Sequence, residues 1–99
     1  MPPVHQHVDL EDTVVWSGKP LASEICGEVV LMNMDRGFFY SLDDIGSEIW
    51  RSLGEPVSVA SLCQSLAAKY HAETATVTAD VLALLNKLLD HELIVVLGG

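Results

Sequence analysis

The sequence predicts an α+β domain in which a three-stranded antiparallel sheet is followed by three helices that pack on one of its faces. The first half of the chain carries β-rich apolar runs separated by turn residues, and the second half carries apolar residues at helical spacing. A length of 99 residues is typical of one domain. With 49% hydrophobic and 19% charged residues, the composition is that of a globular chain with a single modest core.

Three segments have the composition of β-strands, namely residues 13–17, 27–34 and 38–42. Asp35-Arg36-Gly37 is expected to form a three-residue turn that joins the last two as a hairpin, because Gly supplies the left-handed residue that such a turn requires. In that register one face carries Val30, Met32, Met34, Phe38, Tyr40 and Leu42, and the other carries Val29, Leu31 and Phe39. Both faces are apolar, so the second face is either covered by the ends of the chain or available for binding.

The three helices are predicted from caps and periodicity. Ser41 or Asp43 caps a first helix that ends at Gly54-Glu55-Pro56, and Ser58 caps a second. A third helix is expected from residue 74 to about residue 91, and residues 93–97 end the chain as a short strand or an extended tail. The strand and helix order resembles a winged helix-turn-helix. Residues 1–12 are expected to be a flexible arm, and residues 13–97 a single domain.

The charge and the cysteines limit the function. A net charge of -9 disfavours nucleic acid and anionic membranes as partners. No apolar run is long enough to span a membrane, and residues 1–7 lack the regions of a secretory signal, so a cytoplasmic protein is expected. Cys26 and Cys63 lie in apolar segments without metal-ligand spacing, and both are predicted to be reduced core residues.

The residue pattern does not indicate an enzyme. The chain has no phosphate-binding Gly-rich loop, no nucleophile motif and no zinc spacing. His5 and His7 form an isolated pair, and Asp43 and Asp44 are typical of a helix start. The sequence therefore predicts a protein that is not an enzyme, with no metal site and no cofactor.

The predicted third strand, residues 38–42, offers a binding surface. In a meander of three strands it lies at an edge, and it contains neither Lys nor Pro to prevent pairing with another strand. An extended peptide adds readily to such an edge. Beside it, the flank of the third helix formed by Asp80, Ala83, Leu84 and Lys87 is expected to border a groove. A fully packed helix with an ordinary solvated polar face remains the alternative.

The spacing of these residues resembles the PqqD-like family of peptide recognition elements, which act on ribosomally synthesised precursor peptides (RiPPs). The likeness covers roughly residues 13–96 and is carried by these residues: Leu31, Gly37, Phe38, Phe39, Tyr40, Ser41, Leu42, Asp43, Gly46, Ile49, Trp50, Leu53, Leu62, Leu66, Tyr70, Asp80, Val81, Leu84, Leu85, Leu88, Leu93 and Ile94. The pair Ile49-Trp50 and the short chain are most similar to the stand-alone proteins of lasso-peptide gene clusters. Asp43 and Glu92 depart from the Asn and Gly frequent at these positions.

The resemblance implies that a precursor's leader peptide pairs with the third strand in a cleft walled by the third helix. The peptide-binding residues it implies are Val30, Met32, Phe38, Phe39, Tyr40, Asp80, Ala83, Leu84 and Lys87. It further implies two partners, a leader peptidase of the transglutaminase-like cysteine class and a lactam-forming cyclase. A small acyl or sulfur carrier is the alternative function, which an adduct in the intact mass would reveal. A winged-helix DNA-binding protein is a third, which a gel shift would test.

Overall fold

The computed structural model describes residues 7–17, 21–33 and 37–98, except for the side chains of Leu21, Asn33, Phe38 and Gly98. Met34, the first two residues of the expected turn, Asp35 and Arg36, and the histidine at position 5 lie outside the described residues. The elements, in chain order, are β1 (Thr13–Trp16), β2 (Leu21–Ile25), β3 (Glu28–Asn33), β4 (Phe38–Ser41), α1 (Asp44–Ser52), β5 (Val57–Ser58), α2 (Val59–Tyr70), α3 (Thr74–Asp90) and β6 (Ile94–Gly98).

The strands form two antiparallel sheets rather than one. The first has the order β5-β1-β6, and the second has the order β2-β3-β4. The predicted three-stranded antiparallel sheet followed by three helices is confirmed, but its first strand is not the predicted one. Residues 13–16 belong to the other sheet, where they pair with β6 and thereby make the expected C-terminal tail a strand.

The first strand of this sheet is β2, which was not predicted from the sequence. It joins β3 through a two-residue turn at Cys26 and Gly27, whose φ angles are 55° and 83°. Positive φ at both central residues is the requirement of a type I′ hairpin turn, which suits the twist of the flanking strands. Cys26 is consequently exposed, so its prediction as a core residue is wrong, whereas Cys63 is buried as expected.

The register of the hairpin β3–β4 differs by one residue from the prediction. Asn33 pairs with Phe38 and Leu31 pairs with Tyr40, so four residues separate the strands instead of three. A one-residue slip moves a side chain to the opposite face of the sheet. Val29 and Leu31, 2% and 0% exposed, therefore share the core face with Tyr40, and Val30 and Met32 lie on the outer face.

The three helices begin near the predicted residues. The Asp43 carboxylate accepts a hydrogen bond from the Gly46 N–H at 2.7 Å and caps α1, so Asp43 and not Ser41 is the N-cap. Ser58 caps α2. Glu73 is the N-cap residue of α3, without a side-chain hydrogen bond.

The core lies between the sheets and the helices. From α3 it includes Val81, Leu85 and Leu88, and Leu82 and Leu89 pack against it half-buried. Residues 8–12 of the expected arm also contact the domain. Val8 is 2% exposed, and its N–H donates to the Asn86 side chain at 2.7 Å.

No helix among the described residues is long and apolar enough to cross a membrane.

Candidate functional site

A cleft of about 640 Å³ opens between β4, the start of α1 and α3. One wall is formed by Tyr40 of β4 and by the residues that lead from β4 into α1. The opposite wall is formed by α3, and the floor by apolar side chains of α1. The lining residues are Tyr40, Ser41, Leu42, Asp43, Ile45, Gly46, Ile49, Asp80, Ala83, Leu84 and Lys87.

The strand β4 is an edge strand of its sheet, as predicted for residues 38–42. Among the described residues it pairs only with β3. The Leu42 N–H donates to the Val29 carbonyl at 2.8 Å, which fixes the alternation of the antiparallel ladder. In this alternation Leu42, Tyr40 and Phe38 direct their backbone groups to β3. The N–H and C=O groups of Phe39 and Ser41 therefore point away from the sheet, toward a strand that would be added.

A buried hydroxyl holds the end of β4 against β3 and α1. Ser47 is 0% exposed, and its Oγ accepts from the Val29 N–H at 2.8 Å and donates to the Leu42 carbonyl at 3.2 Å. These bonds use two backbone groups at the point where the β3–β4 ladder ends. They fix the angle at which α1 leaves the strand, and so the position of the cleft floor.

Gly46 allows the close approach of the chain at the start of α1. A Cβ atom at this position would lie 3.1 Å from an Asp43 carboxylate oxygen and 3.3 Å from the Leu42 Cβ. Both distances are shorter than ordinary van der Waals contact, so a larger residue would displace the cap. Gly46 lines the cleft, and its missing side chain leaves that part of the cleft open.

Charged side chains lie on the α3 wall. The Lys87 Nζ sits over the Tyr40 ring, 4.2 Å from its centroid, within the range of a cation–π interaction. Asp80 lies two helical turns before Lys87 on the same wall. Between them, Ala83 and Leu84 supply small and apolar surface. The cleft can thus take an extended chain with apolar and charged side chains along one wall.

The structure brings five of the nine predicted peptide-binding residues together. Tyr40, Asp80, Ala83, Leu84 and Lys87 all line the cleft. Tyr40 lies on β4 and the other four lie on α3. They meet because α3 lies beside β4, as expected for a groove between the third strand and the third helix.

The other predicted residues lie elsewhere. Val30 and Met32 are on the outer face of the sheet, because the hairpin register differs from the prediction. Phe39 is on that same outer face and is 72% exposed. Phe38 contributes backbone to β4, and its side chain lies outside the described residues.

Sequence reasoning missed the contribution of α1. Ile45, Ile49 and Gly46 form much of the cleft floor. Ile45 has the spacing of a core residue, yet it lies in the first turn of α1, lines the open cleft and is 44% exposed. Its position two residues after the predicted N-cap Asp43, in the first turn of the helix, was the signal that could have placed it at the cleft.

No group of three or more His, Cys, Asp and Glu side chains with metal-binding geometry occurs in residues 7–17, 21–33 and 37–98. Cys63 does not line the cleft, and burial raises the pKa of its thiol, against a smaller lowering by a hydrogen bond with Thr78. A thiol with a raised pKa is a weaker nucleophile at neutral pH.

An α+β domain with an open strand edge beside a helix-walled cleft is the class of protein that this fold and site define. Residues 28–94, about two-thirds of the chain, match the sequence model of the family described as Coenzyme PQQ synthesis protein D (PqqD). The chain therefore belongs to the PqqD family, whose members are in general non-catalytic, peptide-binding proteins. Among curated proteins, none matches the sequence.

A solved structure supports the fold and the family. The chain is similar to TbiB1 in a structure described as TbiB1 in complex with the TbiA(beta) leader peptide, with a TM-score of 0.72 and 30% sequence identity. The match covers 81% of this chain and 93% of that chain. The three-stranded sheet and the three helices thus recur in a protein that binds a precursor leader peptide.

Proposed function

We propose that this protein is a non-catalytic recognition protein that binds the leader region of a ribosomal precursor peptide by β-strand addition to β4. The observation that carries the proposal is the open edge of β4 beside the cleft between α1 and α3. The leader would lie along β4 and bond to the outward backbone groups of Phe39 and Ser41. Its side chains would alternate between the cleft and the outer face of the sheet.

The energetics require both the edge and the cleft. Each backbone hydrogen bond contributes about 0.5–1.5 kcal/mol, and ordering a disordered leader costs roughly 2–5 kcal/mol. A strand of five or six residues therefore gains little from backbone pairing alone. The apolar surface of Ile45 and Leu84 gives the leader's side chains the additional contact that binding needs.

The biological setting of the proposal is lasso-peptide biosynthesis. The similarity of Ile49-Trp50 to the corresponding pair in lasso-cluster proteins supports this setting. In it, the protein delivers the leader to a transglutaminase-like cysteine peptidase, and a lactam-forming cyclase acts on the freed core. Delivery raises the effective concentration of the precursor at the peptidase. Neighbouring genes for a short precursor, a cysteine peptidase and an asparagine-synthetase-like protein are expected, whereas a radical-SAM neighbour would contradict the lasso setting.

The binding mode is tested by titrating the ¹⁵N-labelled protein with a synthetic leader of the precursor encoded beside it. Amide resonances of residues 38–41 and of α3 around Lys87 are expected to shift. Tyr40→Ala is expected to weaken binding at least about fivefold in fluorescence anisotropy, since it removes an aromatic wall of the cleft. The far-UV circular dichroism should not change. Shifts confined to other parts of the chain would contradict strand addition to β4.

A further inference from the structure

Lys87 differs from the other described cations in its partners. Arg51 pairs with Glu24, and Lys69 pairs with Glu48. The ammonium of Lys87 lies over the Tyr40 ring, and no carboxylate of the described residues is within ion-pair distance of it. In a chain with 14 acidic and 5 basic residues, a lysine held at a cleft without an anion is available to a ligand.

We propose that Lys87 selects leaders carrying Asp or Glu at the position opposite Tyr40 in the added strand, or two positions along. This inference rests on the proposed function and names the side-chain chemistry that the cleft reads.

The ladder geometry places that leader side chain. Because Phe39 and Ser41 carry the outward backbone groups, they form the hydrogen-bonded positions with an added strand, and Tyr40 lies between them. Residues that face each other across two strands project to the same face. The leader residue opposite Tyr40 therefore projects into the cleft, where the Tyr40 ring holds the Lys87 ammonium.

The loss of water from the Lys87 ammonium makes the cleft selective for an acidic leader side chain. An added strand removes water from the Lys87 ammonium, and a covered cation is costly unless an anion compensates it. The ring of Tyr40 compensates in part, and a carboxylate does so more fully. The net charge of -9 repels acidic peptides at long range, so the selection depends on the local contact at Lys87.

Asp80 restricts the preference for an acidic leader side chain to one end of the cleft. It lies two helical turns from Lys87, on the same wall. A carboxylate on the leader is therefore favoured at the Lys87 end and disfavoured at the Asp80 end. The acidic preference should appear at one position of the bound peptide, and not along its whole length.

The test is a selection of random ten-residue peptides by display against three proteins. These are the unaltered protein, Lys87→Glu and, as the control, Lys69→Glu, which makes the same change in net charge outside the cleft. We expect Asp or Glu to be enriched at one position with the unaltered protein and with Lys69→Glu. With Lys87→Glu, Lys or Arg should replace them at that position. Circular dichroism checks that all three proteins are folded.

Synthetic peptides then give the size of the effect. For a selected peptide, replacement of its acidic residue by the amide is expected to weaken binding to the unaltered protein about 3- to 10-fold. For Lys87→Met the same replacement should change affinity less than about twofold, because the partner of the carboxylate is absent.

The outcomes separate this inference from the proposed function. Peptides that bind the cleft without an acidic position, or with one that Lys87→Glu leaves unchanged, would overturn the role of Lys87 and leave strand addition intact. Failure to select any peptide, or selected peptides that leave the amide resonances of β4 unshifted, would overturn both.

Discussion

The two edges of the sheet β2-β3-β4 differ in what lies beside them. Next to β4 is the cleft of about 640 Å³ between α1 and α3. Next to β2 is a cavity of about 210 Å³, bordered by Trp16 and Trp50, whose rings stack with centroids 5.2 Å apart. There, Arg51 bonds to Glu24 at 2.6 Å and to the Gly27 carbonyl at 3.1 Å, across the hairpin.

The two edges differ in the space beside them and not in their backbone groups. Both edges offer outward backbone groups, on Phe39 and Ser41 of β4 and, by the alternation of the β2–β3 ladder, on Ala22 and Glu24 of β2. Only beside β4 is there room for several side chains of an added strand. This difference supports the proposed peptide site at β4, whereas beside β2 the stacked tryptophans and the bonds of Arg51 occupy the surroundings of the edge.

The largest expected effect is on leader binding when an outward donor of β4 is removed. Ser41→Pro deletes an N–H that faces the added strand, and its ring obstructs that strand, whereas the bonds to β3 remain. Leader affinity in fluorescence anisotropy should fall at least about tenfold, more than one lost hydrogen bond. The matched variant Ala22→Pro on β2 should leave affinity unchanged. Equal losses in the two variants would contradict the distinction between the edges.

A smaller effect is expected on stability when the buried hydroxyl behind β4 is removed. Ser47→Ala leaves the Val29 N–H and the Leu42 carbonyl without their buried partner. The free energy of unfolding in urea should fall by about 1–3 kcal/mol. Ser52→Ala is the control, because its Oγ donates to the Glu48 carbonyl at an exposed position. Equal losses of stability in the two variants would show that the Ser47 hydroxyl does not anchor the end of β4.

The smallest effect is expected at the β2 edge. Arg51→Ala removes an exposed ion pair with Glu24, so the free energy of unfolding should fall by less than about 1 kcal/mol. The difference from the unaltered protein should shrink at high salt because salt screens exposed charges. Leader affinity should not change. A loss of leader binding in this variant would show that the β2 side takes part in recognition.

The helices and the edge position of residues 38–42 could be predicted from the sequence because local signals determine them. Asp43 and Ser58 are side-chain caps, and the apolar spacing of α2 and α3 marks their buried faces. The strand β2 could not be predicted in this way. Its sequence, Leu-Ala-Ser-Glu-Ile, alternates weakly, and it is ordered by pairing with β3 through a turn in which Cys26 adopts a positive φ.

Only part of the candidate site could be predicted from the sequence, because local signals determine only that part. The α3 wall follows from helical spacing, which is a local property. The face on which Val30 and Met32 lie depends on the number of residues between β3 and β4, and an error of one residue reverses it. The floor from α1 depends on how that helix leaves the sheet, which the buried contacts of Ser47 determine and no local pattern encodes.

The pairing of the first strand with the last has a use in protein engineering. Thr13 at the start of β1 lies opposite Gly98 at the end of β6, in the sheet that does not contain β4. Because the start of β1 and the end of β6 are neighbours, the domain, with the packed residues 8–12 retained, suits insertion into a surface loop of a host enzyme through two short linkers. In such a chimera, the proposed leader binding would bring substrates that carry the leader sequence to the host enzyme.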